Sequence, residues 1–168
     1  MLIAMAGLPG AGKSSVAEGL GRALGVPVVS VDPIEAALRR AGVASGQPTG
    51  LAAYLAAEAV ADGVLALGQS VIVDAVNAVE PARGQWRALA LRHGVALRFV
   101  EVCCSSPNVH RTRLEARRRG IAGFPEPSWA DVEACRARFE PWQDERLTLD
   151  SMAEPAANIE LALGYVAG

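Results

Sequence analysis

Gly7-Leu8-Pro9-Gly10-Ala11-Gly12-Lys13-Ser14 follows the apolar run Leu2-Ile3-Ala4-Met5-Ala6 and leads into Ser15-Val16-Ala17-Glu18-Gly19-Leu20-Gly21-Arg22-Ala23-Leu24. The octet fits G-x-x-x-x-G-K-[ST], a glycine-rich loop whose backbone N–H groups cradle phosphate oxygens. Its flanks supply the context that the pattern needs. The apolar run reads as a strand buried on both faces. After the loop, Val16, Leu20, Ala23 and Leu24 recur at helical spacing, and Gly25 ends the helix. Strand, loop and helix together aim backbone N–H groups and the positive end of a helix dipole at an anion. Lys13 is the chain's only lysine, against fifteen arginines. A compact ammonium fits alongside β- and γ-phosphates, whereas a guanidinium has a different shape and hydrogen-bonding fork. The candidate nucleotide contacts are Gly7, Leu8, Pro9, Gly10, Ala11, Gly12, Lys13, Ser14 and Ser15, with the Ser14 hydroxyl as a Mg²⁺ ligand.

The 168 residues read as a single domain spanning 1–168, long enough for a full core. A formal charge of −2 sets up no global field favouring a nucleic-acid backbone. No apolar run approaches the roughly 18–20 residues that span a bilayer, so no membrane partner is expected. The N-terminus lacks the basic start of a secretory signal, and its apolar residues are better used as the first strand. Cys103, Cys104 and Cys135 make an odd count without metal-like spacing. Reduced thiols and a cytoplasmic location are the simple reading.

Strands and helices alternate along the rest of the chain. Strands are expected at 28–31, 71–73, 96–103 and 146–149, and helices at 33–40, 51–67, 81–92, 107–119, 128–139 and 155–166. A Gly/Pro-rich connection covers 42–50. Such alternation implies right-handed crossovers and a parallel sheet covered on both faces. Ligands on these sheets bind beyond the carboxyl ends of the strands.

Two aspartates end strands on that edge. Asp74 closes Val71-Ile72-Val73 and is a candidate Mg²⁺ ligand opposite Ser14; an N-cap or turn role competes. Asp32 precedes Pro33, so it is both a candidate general base for an acceptor hydroxyl and a good helix N-cap. Arg111, Arg113, Arg117, Arg118 and Arg119 crowd one helix end, ahead of a Gly/Pro loop over 120–127. Arg113 and Arg117, four apart, share a helix face, and residues 111–127 read as a lid over the phosphates. Acceptor-side candidates are Asp32, Glu35, Tyr54, Asp74, Asn77, Arg83 and Trp86, with Tyr54 and Trp86 better suited to packing. His93 and His110 show no evident partner.

The ordered set of the octet, Ser30-Val31-Asp32, Val71-Ile72-Val73-Asp74 and Arg113-Leu114-Glu115-Ala116-Arg117 resembles the small P-loop kinases of the AAA-type ATP-binding group. These are the polynucleotide-kinase-like, zeta-toxin-like and chloramphenicol-phosphotransferase-like kinases. The resemblance runs through Phe139-Glu140-Pro141-Trp142 to Asp150. It implies a three-layer α/β P-loop NTPase fold with a five-stranded parallel sheet in the order 2-3-1-4-5. It also implies an ATP–Mg²⁺ donor, a small-molecule hydroxyl acceptor beside Asp32, Arg113 and Arg117 as lid cations, and Asp150 within the segment enclosing the adenine. Lys13, Asp32, Arg113 and Arg117 are then the catalytic set. Asp32-Pro33-Ile34-Glu35 places an acid where polynucleotide kinases carry a base, which disfavours nucleic acid as the acceptor. No Asn-Lys-x-Asp guanine signature can exist in a chain whose only lysine is Lys13. A 5′-hydroxyl nucleic-acid kinase, a zeta-toxin-type sugar-nucleotide kinase and a non-catalytic ATP-binding module remain as alternatives.

Overall fold

The computed structural model describes residues 1–43, 48–118, 120–122 and 126–168. Five strands, β1 (Leu2–Ala6), β2 (Val28–Ser30), β3 (Val71–Asp74), β4 (Leu97–Cys103) and β5 (Arg146–Asp150), form one sheet. Their order is β2-β3-β1-β4-β5 and every pairing is parallel. This is the expected P-loop NTPase arrangement. The helices are α1 (Lys13–Leu24), α2 (Val31–Arg40), α3 (Thr49–Ala66), α4 (Glu80–His93), α5 (Pro107–Ala116), α6 (Trp129–Ala137) and α7 (Pro155–Ala167).

The period of two along each strand divides the core into two layers. Leu2 and Ala4 of β1, Val71 and Val73 of β3 and Phe99 of β4 face α3 and α4, where they meet Ala53, Ala57, Ala61, Trp86 and Leu89. Ile3, Met5, Ile72, Val100 and Val102 point the other way and pack on Val16, Ala17 and Leu20 of α1 and on Ala162 and Val166 of α7. All five residues of β1 are buried, as the central strand of a doubly covered sheet requires.

Several boundaries differ from expectation, each with a local cause. Helix α2 begins at Val31, so Asp32 lies in its first turn and Ser30 holds the N-cap position. Helix α5 stops at Ala116; Arg117 follows with extended backbone, φ −65° and ψ 137°. Arg113 and Arg117 therefore do not share a helix face. Of the lid expected at 111–127, Arg119 and residues 123–125 lie outside the described residues, as do residues 44–47 of the expected connection. Contrary to the absence of any long apolar run, α3 is long and apolar enough to cross a membrane by length and composition. Its stripe of Ala53, Ala57, Ala61 and Leu65 is buried against the sheet, while Leu51, Leu55 and Val60 are exposed.

The loop after β1 is held against β4. Gly7 adopts φ +130°, and a Cβ there would overlap the Val102 carbonyl oxygen, so only glycine allows this approach. Gly7→Ala is expected to cost about 2–4 kcal/mol through backbone strain and overpacking. Urea unfolding measures this, and an unchanged midpoint would refute the packing argument.

Candidate phosphate-binding site

Helix α1 starts without a side-chain cap. Gly12 is the N-cap with φ 104°, and the first turn holds no acidic residue. The first N–H groups of a helix have no internal partner, and here nothing from the chain's own side chains fills that role. Lys13, 8% exposed, folds back so that its Nζ donates to the Leu8 carbonyl at 3.1 Å. Burial pushes the Lys13 ammonium below its ordinary pKa; Asp74 and then Asp32 pull it back up, and Arg117 opposes them.

Asp74 is neither an N-cap nor a turn former. It is buried at the end of β3, and its Oδ2 accepts from Ser14 Oγ at 2.7 Å and Ser30 Oγ at 3.1 Å. Parallel pairing sets Ser30 opposite Asp74 in the β2–β3 register. Among the described residues no cluster of three or more His, Cys, Asp or Glu is placed to hold a metal. One hydroxyl and one carboxylate do suit Mg²⁺, which keeps waters and substrate phosphates in most of its octahedral positions. Ser14 and Asp74 are thus the fitting protein oxygens.

Two cavities meet at this point. One, about 350 Å³, is lined by Gly10, Gly12, Lys13, Ser14, Arg113 and Arg117 on one side and by Ser151, Ala153, Pro155 and Asn158 on the other. A smaller one, about 110 Å³, is bounded by Pro9, Lys13, Ser14, Asp32, Asp74 and Arg117. Lys13, Ser14 and Arg117 belong to both walls. Arg113 is anchored beside the larger cavity by Nη1 bonds to Ser151 O at 3.0 Å and Ser151 Oγ at 3.2 Å.

Other sequence candidates do different work. Asp150 does not line the larger cavity. Its Oδ1 accepts from the N–H groups of Ser105 (3.1 Å) and Met152 (3.0 Å), so it shapes the turn after β5; hydrogen bonding by the Ser105 side chain, then by the Met152 N–H, holds its carboxyl below the usual range. The wall belongs to Ser151, Ala153, Pro155 and Asn158, residues that no motif marked. Asn158 is placed by its Nδ2 bond to the Asp150 carbonyl at 2.9 Å.

Asn77 and Arg83 are fully buried scaffold residues rather than acceptor contacts. Asn77 has φ 50°; its Nδ2 donates to Met5 O at 2.7 Å, and its Oδ1 accepts from Trp86 Nε1 at 2.8 Å. Arg83 donates to four carbonyls, those of Asn77, Ala78, Glu140 and Pro141, at 2.9–3.0 Å, and its guanidinium lies 3.8 Å from the Trp142 ring centroid. Glu35 Oε1 accepts from Arg39 Nη2 at 2.6 Å and Thr49 Oγ1 at 2.8 Å, tying α2 to α3. Trp86 is core packing, as expected.

Tyr54, expected to pack, and His110, expected to lack a partner, both take part in hydrogen bonds. Tyr54 accepts from the Asn77 N–H at 3.1 Å; burial, with Asp32 and Cys135 adding, raises its hydroxyl to about 12, so it keeps its proton. His110 is buried, contrary to its partnerless reading: Nε2 sits 2.8 Å from Pro9 O, and the ring meets Trp129 edge-on at 5.3 Å. No local motif announces it, because Pro9 is 101 residues away in sequence.

A family model described as an AAA domain matches residues 2–142. The chain belongs to the AAA domain family. An uncharacterized protein of Mycobacterium tuberculosis is 33% identical over 154 residues, covering 84% of this chain. The chain spans about 30% of the length of the curated relatives it matches. Among solved structures, a gluconokinase from Sinorhizobium meliloti superposes with TM-score 0.71 at 23% identity, over 98% of this chain and 90% of that one. The Mycobacterium tuberculosis APS kinase in complex with AMPPNP and APS gives TM-score 0.74 at 18% identity, over 99% and 97% of the two chains. These likenesses establish the fold.

Arg83→Met keeps the bulk of the stem and removes the donors. It is expected to lower stability by about 3 kcal/mol or more, given roughly 1–3 kcal/mol for each buried acceptor left unmet. A urea titration that finds less than about 1 kcal/mol would contradict the scaffold role.

Proposed function

We propose that this protein is an Mg²⁺- and ATP-dependent phosphotransferase acting on a small-molecule hydroxyl. The observation that carries the reading is the shared wall: Lys13, Ser14 and Arg117 line both the large cavity and the small one holding Asp32 and Asp74. A donor in the first and an acceptor in the second would meet at those three side chains. The membership in the AAA domain family and the fold shared with a gluconokinase and an APS kinase support it.

In this reading the triphosphate lies along the loop from Gly7 to Ser15, with the base toward Ser151, Ala153 and Pro155. Lys13 leaves the Leu8 carbonyl for the β- and γ-phosphates. Ser14 and Asp74 would hold Mg²⁺, which would supply positive charge to the phosphates. The acceptor oxygen attacks the γ-phosphorus as the bond to the β–γ bridging oxygen breaks. Asp32 takes the hydroxyl proton, and ADP leaves. Arg113 and Arg117 cover the transferring group. The acceptor side has about 110 Å³, which favours a small molecule over a polynucleotide end. Three free cysteines suit a reducing, cytoplasmic setting.

Labelled ATP offered to a panel of sugars, nucleosides, aminoglycosides and 5′-hydroxyl oligonucleotides tests the proposal. Transfer to a small molecule supports it; transfer only to oligonucleotides, or ATP binding with no turnover, overturns it. Lys13→Ala is expected to remove turnover while the protein stays folded by circular dichroism. Asp32→Asn is expected to leave ATP affinity near wild type and slow transfer about 10²–10⁴-fold. Undiminished single-turnover transfer in that variant would exclude Asp32 as the base.

A further inference from the structure

A third cavity, about 320 Å³, shares Gly7, Leu8 and Ala11 of the loop but none of Lys13, Ser14 or Arg117. Its remaining walls are the end of β4, His110 of α5, and Arg136 and Phe139 at the end of α6. It lies against the same loop as the phosphate site and is lined by a different set of residues.

The polar groups on its wall share one character. Pro9 O can only accept, so His110 Nε2 carries the proton of that bond, and in that tautomer Nδ1 is an acceptor. No described residue hydrogen-bonds to Nδ1. Glu101 Oε2 accepts from Arg146 Nε at 2.6 Å, and its second oxygen has no hydrogen bond among the described residues. The thiols spend their protons elsewhere: Cys103 Sγ donates to Leu149 O and Cys104 Sγ to Ser106 O, both at 3.4 Å. Arg136 has its charge met by Glu133 at 2.7 Å. The wall thus offers two unused acceptors, one of them a carboxylate, beside the aromatic ring of Phe139. A ligand rich in N–H donors supplies partners to both.

We infer that this cavity binds a compact, flat amine or amidine, and that its occupant acts on the phosphate loop. Occupancy touches Gly7, Leu8 and Ala11 directly and loads the ring of His110, whose other nitrogen holds the Pro9 carbonyl. The binding half of the inference stands without the proposed function; the coupling half rests on the loop's binding nucleotide.

The test uses 2-aminobenzimidazole, a planar donor-rich cation of suitable size, with the ¹⁵N-labelled full chain. Saturable shifts are expected at the amides of Gly7, Leu8, Ala11 and Cys104. Benzoate, flat but anionic, should give none. Glu101→Gln is expected to weaken probe binding about tenfold or more, the scale of a lost charge-assisted bond. Cys104→Met, which fills the cavity without changing its charge, should weaken it as well, so the test survives if the first variant does not fold. Saturating probe should change the affinity for Mg·ADP at least threefold by calorimetry, and saturating Mg·ADP should change probe affinity by the same factor. Shifts that are absent, that lie elsewhere, or that persist undiminished in both variants overturn the site. An Mg·ADP affinity indifferent to the probe overturns the coupling. A chain that binds no Mg·ADP at all overturns the nucleotide reading and leaves the probe titration to decide the cavity.

Discussion

The carboxylate of Asp74 joins three elements at one atom. Its Oδ2 accepts from Ser14 at the start of α1 and from Ser30 at the end of β2, while its own backbone ends β3. Burying a lone carboxylate costs several kcal/mol, so the position is stable only while those hydroxyls and the Lys13 ammonium stay in place. The dependence is mutual, because burial weakens the charged form of Lys13 and Asp74 is the strongest influence restoring it. The parallel register of β2 with β3 and the start of α1 thereby fix the loop relative to the sheet. Changing any one member leaves a buried charge or an unmet hydroxyl.

A second rigid point lies beyond the end of β3. Arg83 spends its guanidinium on backbone carbonyls from two distant segments, residues 77–78 and 140–141, and stacks on Trp142. Burial pushes its pKa down, and the field of Glu80 leads the carboxylates that pull it back up. A planar fork of five donors can serve four acceptors at once, which an ammonium of three donors cannot. The same linkage holds Asn77, whose N–H meets the Tyr54 hydroxyl. The segment after β3 is therefore set by contacts more than fifty residues apart in sequence.

This explains which parts were legible from residues alone. The octet, the apolar β1 and the strand-closing Asp74 are local patterns, and their chemistry follows from spacing of one to eight positions. Asp32 was ambiguous because Asp-Pro suits both a cap and a strand end; the structure gives the N-cap position to Ser30 and places Asp32 in the first turn. Asn77, Arg83 and Asp150 were polar residues near strand ends, the right neighbourhood for a ligand contact. Some of their partners are backbone groups brought close only by folding: Met5 O for Asn77, Glu140 O for Arg83 and Ser105 N for Asp150. His110 shows the same limit in reverse: an isolated histidine in a helix carries no signal until α5 lies against the loop. The arginine pair failed on geometry, since Arg117 leaves the helix, yet both arginines reach the same cavity by different routes.

The charge balance of the site bears on what can enter it. Lys13 and Arg117 face Asp32 and Asp74, two cations against two carboxylates on one shared wall. Among the described residues only Arg113 adds further positive charge on the larger cavity, and it is already bound to Ser151. Under the proposed reading, an incoming triphosphate finds cations that are half committed to carboxylates. The loop's N–H groups and the N-terminal end of α1 supply part of what is missing. The rest would arrive with the nucleotide as a divalent cation, which Ser14 and Asp74, hydrogen-bonded to each other at 2.7 Å, would hold.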